Sequence, residues 1–447
     1  MGISSVYLSV FAAQIGFMMS SASVTWTSPM LARFNQTDHD NPLGRIITHK
    51  ENVILASLPM LAAAIGAPTF GFISKVWGRR KTLILLGFPL TIAYFVMAFA
   101  KVILLFFIAR FLAGLTLGGV SMVLPMYCGE LASPKNRGIL TTANAVFINI
   151  GMLLSFCIGP YTTVLCFHII LAVLSLIYIP LVYIFSLESP FYLIQSDYTQ
   201  AESVLKKLRG TYYEPRELEE IKEYVESTYG ISVKHVLKDK SARKSLAIGF
   251  GLITFLMLTG NAPVVAYCQS LFDTSKDSIV SPEMSSILVG VAQLLTTVVV
   301  SPIADNFPRK LLLSISYFGV GTVLVPFGLY FVLDAKDVDL SGFSWMPLVC
   351  FVLYVSVYNI GIGPLLFVFI GELFSPQIKE AAISCMVVYQ WAASFLMTAL
   401  FKSLSALIGQ GYLFWIFAVF SFSAILFIKF VVVETKGKSL KEIQDAL

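Results

Sequence analysis

Charged side chains make up only 13% of this 447-residue chain, about half the share expected of a soluble globular domain. That scarcity excludes a water-exposed fold. Cysteine is sparse as well: the six residues (128, 157, 166, 268, 350 and 385) lie in or beside apolar runs, where they read as small packing residues rather than a disulfide framework. The four histidines, at 39, 49, 168 and 235, are too dispersed for a metal cluster, and His168, inside an apolar run, reads as a helix-packing residue. There is no Gly-x-Ser-x-Gly elbow, phosphate loop or His-Glu-x-x-His helix, so the common hydrolytic and nucleotide chemistries have no carrier. The chain therefore reads as a non-enzyme without a cofactor or metal. No basic stripe with interleaved aromatics accompanies the net charge of +5, which excludes a nucleic-acid partner; no obligate protein partner is implied.

What the chain does have is 57% hydrophobic residues and a mean hydropathy of +0.80. A helix needs about 20 apolar residues to cross a bilayer while satisfying its own backbone. Twelve such runs are present, near 6–26, 53–74, 82–100, 102–124, 139–159, 164–186, 245–272, 284–304, 311–333, 346–370, 380–402 and 411–432. The expected organisation is an all-α membrane protein with a six-helix half over 1–186, a hydrophilic, partly helical linker over 187–244, a second six-helix half over 245–432 and a tail over 433–447. The first run lacks a basic n-region and a small-residue cleavage site, so it reads as a span rather than a signal peptide. Lys and Arg collect in the loops after spans 2, 4 and 8 and in the linker, placing those loops and both termini in the cytoplasm. The loop over 27–52 then faces outward and carries a glycosylation sequon at Asn35.

Three charged signatures recur in order in the two halves. "GRRK", with Arg79 and Arg80, is matched by "PRK", with Arg309 and Lys310. Glu130 with Arg137 in "GELASPKNRG" is matched by Glu372 with Lys379 in "GELFSPQIKE". Glu188 in "LESP" is matched by Glu434 in "VETKGKSL". Ordered duplication suggests parallel six-span repeats. Each charge cluster falls at a span end on one side, so an acid-base network that ties helices together and opens during gating is expected, with Asp305 before "PRK" as a further member. Arg110 shares a helical face with Gly114 and Gly118. The glycines predict a tight helix-helix seam, and the arginine needs an acidic or carbonyl partner, Glu130 or Glu188 being the candidates. Gly260 with Pro263, and Gly361 with Gly363 and Pro364, predict breaks in spans 7 and 10 that serve as hinges or line a cavity.

These motifs, "RFLAGLTLGG" and "ETKGKSLKEI" included, cover essentially the whole chain, which resembles the sugar porter family of the major facilitator superfamily. "INIGMLLSF", "VGVAQ" and "FGFISKVWGRRKTLIL" look most like its arthropod facilitated trehalose transporters. The resemblance implies two halves rocking around a central sugar site in spans 1, 5, 7, 8, 10 and 11, with polar groups binding hydroxyls and rings packing on the sugar face. The substrate-binding candidates in those spans are Gln293, Phe367, Gln390 and Trp391, with Asn144 beside the Gln position, Asn261 one residue from the Asn position that Ala262 holds, Ser394 one turn beyond Trp391, and Tyr267. The chain also departs from the pattern. Leu256 and Met257 stand where the family carries a Gln-Gln pair, Ala145 replaces a Gln, Leu366 and Phe367 replace a Pro and a Trp, and Gln390 precedes Trp391 in place of Asn. Lys75 occupies an acidic position and Phe191 an arginine one, which predicts a looser network on the N-terminal side than in relatives with the full set. Proton-driven relatives carry an Asp in span 1, where this chain has Ala22; facilitated diffusion in the plasma membrane is the expectation, of trehalose or a related hexose or glucoside. The alternatives are a transporter-like sensor that has lost turnover and a carrier of a different small polar solute.

Overall fold

The computed structural model describes residues 2–37, 40–133, 136–228, 240–273, 280–304, 306–374 and 376–436, together with 438 and 442. Among them are twelve helical segments long and apolar enough to cross a membrane: Ser5–Phe34, His49–Trp77, Arg79–Phe99, Ile103–Leu131, Gly138–Tyr161, Val164–Phe185, Ser241–Ala266, Pro282–Val300, Arg309–Asp334, Ser341–Leu373, Ile378–Ile408 and Gln410–Phe430, numbered here spans 1 to 12. The order matches the sequence expectation. Several ends do not. Span 1 runs on through Thr27–Phe34, and Thr48 and Glu51 close a capping box that starts the next helix at His49, so the loop between spans 1 and 2 is much shorter than 27–52. Spans 4 and 11 likewise continue past their expected ends, to Leu131 and Ile408.

Glycines set how closely helices approach. A Cβ on Gly114 would lie 2.4 Å from the Pro59 carbonyl oxygen, and one on Gly118 would lie 2.1 Å from that of Ala63; spans 2 and 4 therefore meet backbone to backbone, the seam read from the sequence. Both expected breaks are present. Span 7 stops at Leu258, Gly260 turns left-handed at φ 80°, and a short helix resumes over Asn261–Ala266, which contains Pro263. Span 10 divides at Gly361 into Met346–Ile360 and Ile362–Leu373, the second piece carrying Gly363 and Pro364.

The linker contains helices Tyr198–Arg209 and Pro215–Thr228. Their buried faces, including Leu205, Leu208, Leu218 and Ile221, join the core of the first six spans. Arg209 donates to the carbonyls of Leu131 (2.9 Å) and Ala132 (3.2 Å) at the end of span 4. This identifies one face of the bundle as the linker end.

Candidate functional site

The duplicated charges form two matching braces at the linker end. In the first, Glu188 Oε1 accepts the backbone N–H groups of Arg79 (2.8 Å) and Arg80 (3.0 Å), capping span 3 where its free donors and positive dipole end favour a carboxylate. The Arg79 guanidinium then donates to Glu130 at 2.9 Å and to the Ser74 carbonyl at 2.8 Å. Gly78, at φ 98°, has to be glycine here: a Cβ would sit 2.5 Å from Glu188 Oε2. In the second half Glu434 accepts the N–H groups of Arg309 (3.1 Å) and Lys310 (3.0 Å). Arg309 stands 3.8 Å from Glu372, and Glu372 accepts the Thr435 hydroxyl at 2.6 Å. Arg79 meets its carboxylate through two nitrogens, Nε at 3.2 Å and the terminal nitrogen at 2.9 Å. Asp305 and the side chain of Arg137 lie outside the described residues. Lys379 approaches Gly371, its ammonium 3.5 Å from where a Cβ would be.

Arg110 is a correction. It lies near the start of span 4, far from Glu130 at its end, and is fully buried. Its donors go to the carbonyl of Leu55 at 3.1 Å and to the carbonyl and hydroxyl of Ser23, while its guanidinium carbon lies 4.6 Å from the centroid of the Trp26 ring. Trp26 Nε1 in turn donates to His168 Nε2 at 2.7 Å. Arg110 therefore binds spans 1, 2 and 4 inside the first half and takes no part in the linker-end braces.

The departure at Lys75 acquires a partner: its ammonium lies 3.1 Å from Glu380, linking span 2 to span 11 across the two halves. At the opposite end Gln269 N–H donates to the Ser28 hydroxyl at 3.0 Å, again between halves. The side chains of Lys75 and Glu380 are 53% and 34% exposed, and pairs of that kind are worth under about 1 kcal/mol. Lys75→Glu is therefore expected to change solute exchange by only a few-fold, about two to five, and Lys75→Glu with Glu380→Lys to restore it, as read by counterflow at low and high salt.

Between these ends lie the binding candidates, which the structure does not gather into one cluster. Asn144 accepts from Gln14 Nε2, and from the Cys128 thiol at 3.7 Å. Gln293 is 3.7 Å from the Met152 sulfur of span 5. Trp391 donates to the Ser121 hydroxyl across the halves at 3.0 Å and packs with Phe367 on Ala67, Met122 and Val387, an apolar plug on the linker side. Ser394 lies 3.1 Å from the Met257 sulfur, so the methionine in place of a glutamine occupies that hydroxyl. Tyr267 stacks on Phe401. Asn261 and Gln390 are half-buried, and Asn35 is exposed at a helix end.

Sequence reasoning missed the polar chain that joins the halves in the middle. Asn149 Nδ2 of span 5 donates to the Thr297 hydroxyl of span 8 at 2.7 Å. That hydroxyl is 3.3 Å from Asn359 Oδ1 of span 10, two residues before the break at Gly361. All three are buried. The available signal was position: Thr297 follows Gln293 by one turn, and Asn359 abuts the glycine break.

The sugar (and other) transporter family model matches residues 7–447. A facilitated trehalose transporter of Bombyx mori is 32% identical over 445 residues, covering 98% of this chain and 86% of that one. The transporter of the same name from Polypedilum vanderplanki is 29% identical over 441 residues, covering 98% and 87%. Among solved structures, a partially occluded inward-open conformation of the xylose transporter XylE from E. coli superposes with a TM-score of 0.81 at 24% identity, covering 98% of this chain and 100% of that chain. The proton:xylose symporter XylE bound to 6-bromo-6-deoxy-D-glucose superposes at 0.80 and 23% identity over the full length of both chains.

Proposed function

The chain belongs to the sugar transporter family, and from that premise we propose that it is a facilitative uniporter working by alternating access, its solute trehalose or a related hexose or glucoside. The observation that carries the uniport reading is Arg110. A proton-coupled carrier needs an acid that loads and releases a proton beside the moving site, and here the buried cation is held by carbonyls and a hydroxyl of spans 1 and 2, while span 1 contains no Asp or Glu. The duplicated braces support rocking of two stiff halves, with Lys75–Glu380 and Ser28–Gln269 as the contacts to be exchanged at either end. Both termini and the linker are assigned to the cytoplasm of a plasma-membrane protein, with Asn35 glycosylated outside; the solute undergoes no covalent change.

A second reading, a sugar sensor without turnover, is favoured by Leu256 and Met257, both buried, which replace the amides that would grip hydroxyls. Counterflow of radiolabelled trehalose and glucose into proteoliposomes at pH 5.5 and 7.5 separates the two. The expected outcome is saturable counterflow that is equal at both pH values. Flux that rises at the acid pH would overturn uniport, and binding without flux would favour the sensor.

A further inference from the structure

The polar candidates of span 11 are the lower part of a longer ladder. Gln390, Ser394, Thr398 and Lys402 recur every four residues, which keeps them on one slowly turning helix face. The upper rungs have no partner that explains them. Thr398 is fully buried, and its hydroxyl has no hydrogen-bond partner. Lys402 is half-buried, well inside span 11, and its ammonium lies 4.9 Å from the centroid of the Tyr267 ring. Among the described residues no carboxylate lies within ion-pairing distance of it. Tyr267 is 1% exposed, is stacked on Phe401, and its hydroxyl likewise has no partner.

A lysine that snorkels to the interface would turn its ammonium away from the protein. This one lies over the buried ring of Tyr267, which sits just past the end of span 7 and stacks in turn on Phe401. An unpaired cation in so apolar a setting is costly, and an incoming anion lowers that cost. Two free hydroxyls nearby suit a solute that also carries hydroxyl groups. The ladder from Gln390 to Lys402 rises about 18 Å, longer than one hexose ring, so Lys402 marks a position separate from the middle of the bundle, toward the end away from the linker.

From this arrangement we infer that Lys402, Tyr267 and Thr398 form a binding position for the carboxylate of an acidic sugar, and that the solute class includes sugar acids of the hexuronate kind. The inference rests on the sugar-transport reading above, and the test separates the two. In proteoliposomes holding the full chain, counterflow of radiolabelled glucose is competed with glucuronate and with glucuronamide, which has the same shape without the charge. Glucuronate is expected to compete at a concentration lower by about tenfold, the worth of one charge-assisted hydrogen bond. Lys402→Met is expected to erase the difference and Lys402→Arg to keep it. Equal potency of the two competitors in the unmodified protein overturns the inference while leaving sugar transport standing, and needs no variant to fold. Glucose flux with a preference that survives Lys402→Met overturns it too. Absence of counterflow with any sugar overturns the transport reading and this one together.

Discussion

Replacing Arg79 with methionine is expected to abolish measurable counterflow, a loss of more than about 100-fold, because truncating one member of a buried ion pair costs on the order of 3–5 kcal/mol. The side chains of Arg79 and Glu130 are 8% and 12% exposed. Without the guanidinium, the Glu130 carboxylate loses the N–H donors that face it in a buried site, and the Ser74 carbonyl loses its donor. The double variant Arg79→Met with Glu130→Leu removes both charges and is expected to recover much of the protein's thermal stability, since an apolar pair of similar size suits such a site. A single variant as stable as the double would sink the argument. The matching change Arg309→Met should be milder: its pair is 3.8 Å apart, Glu372 is 34% exposed, and Thr435 still holds that carboxylate.

Thr297→Val is the second large effect. Valine fills the space but removes the one hydroxyl between Asn149 and Asn359, leaving the buried Asn149 amide donor short of its acceptor and removing the proton shared between the Gln293 carbonyl (2.9 Å) and Asn359 Oδ1 (3.3 Å). An orphaned donor of this kind costs about 1–3 kcal/mol. If the chain steadies the closed seam, the exchange rate should shift by roughly ten- to 100-fold in the window that this cost sets, with Thr297→Ser restoring it. Counterflow kinetics on both variants decide the matter: a valine variant with unaltered flux would make the chain mere packing.

Much of the architecture was legible because hydrophobic length and duplicated charge are one-dimensional signals. Twelve spans, the linker helices, the glycine seam and both helix breaks could be read directly from residue order. Arg110 could not. Its helical face is visible in sequence, but its depth along span 4 decides whether it meets Glu130 or the carbonyls of span 1, and a shared face says nothing of depth. The same limit explains the scattered binding candidates. A resemblance can place Asn144 or Ser394 in a site-forming span, yet only the fold shows that Gln14 and Met257 already occupy them. A departure such as Lys75 looks like a loss until its distant partner Glu380 is seen.

Trp391 offers an optical consequence. Of the five tryptophans, Trp26 is sealed inside the first half, Trp77 and Trp345 are exposed, and Trp415 bonds to Val325 within the second half. Trp391 alone among them donates its indole proton to the other half, at Ser121. In the proposed alternating-access cycle, that indole would exchange its hydroxyl acceptor and apolar wall for water as the halves part at the linker end. Its emission should move to longer wavelength, giving the protein an intrinsic fluorescent reporter of its own opening that Trp391→Phe would silence.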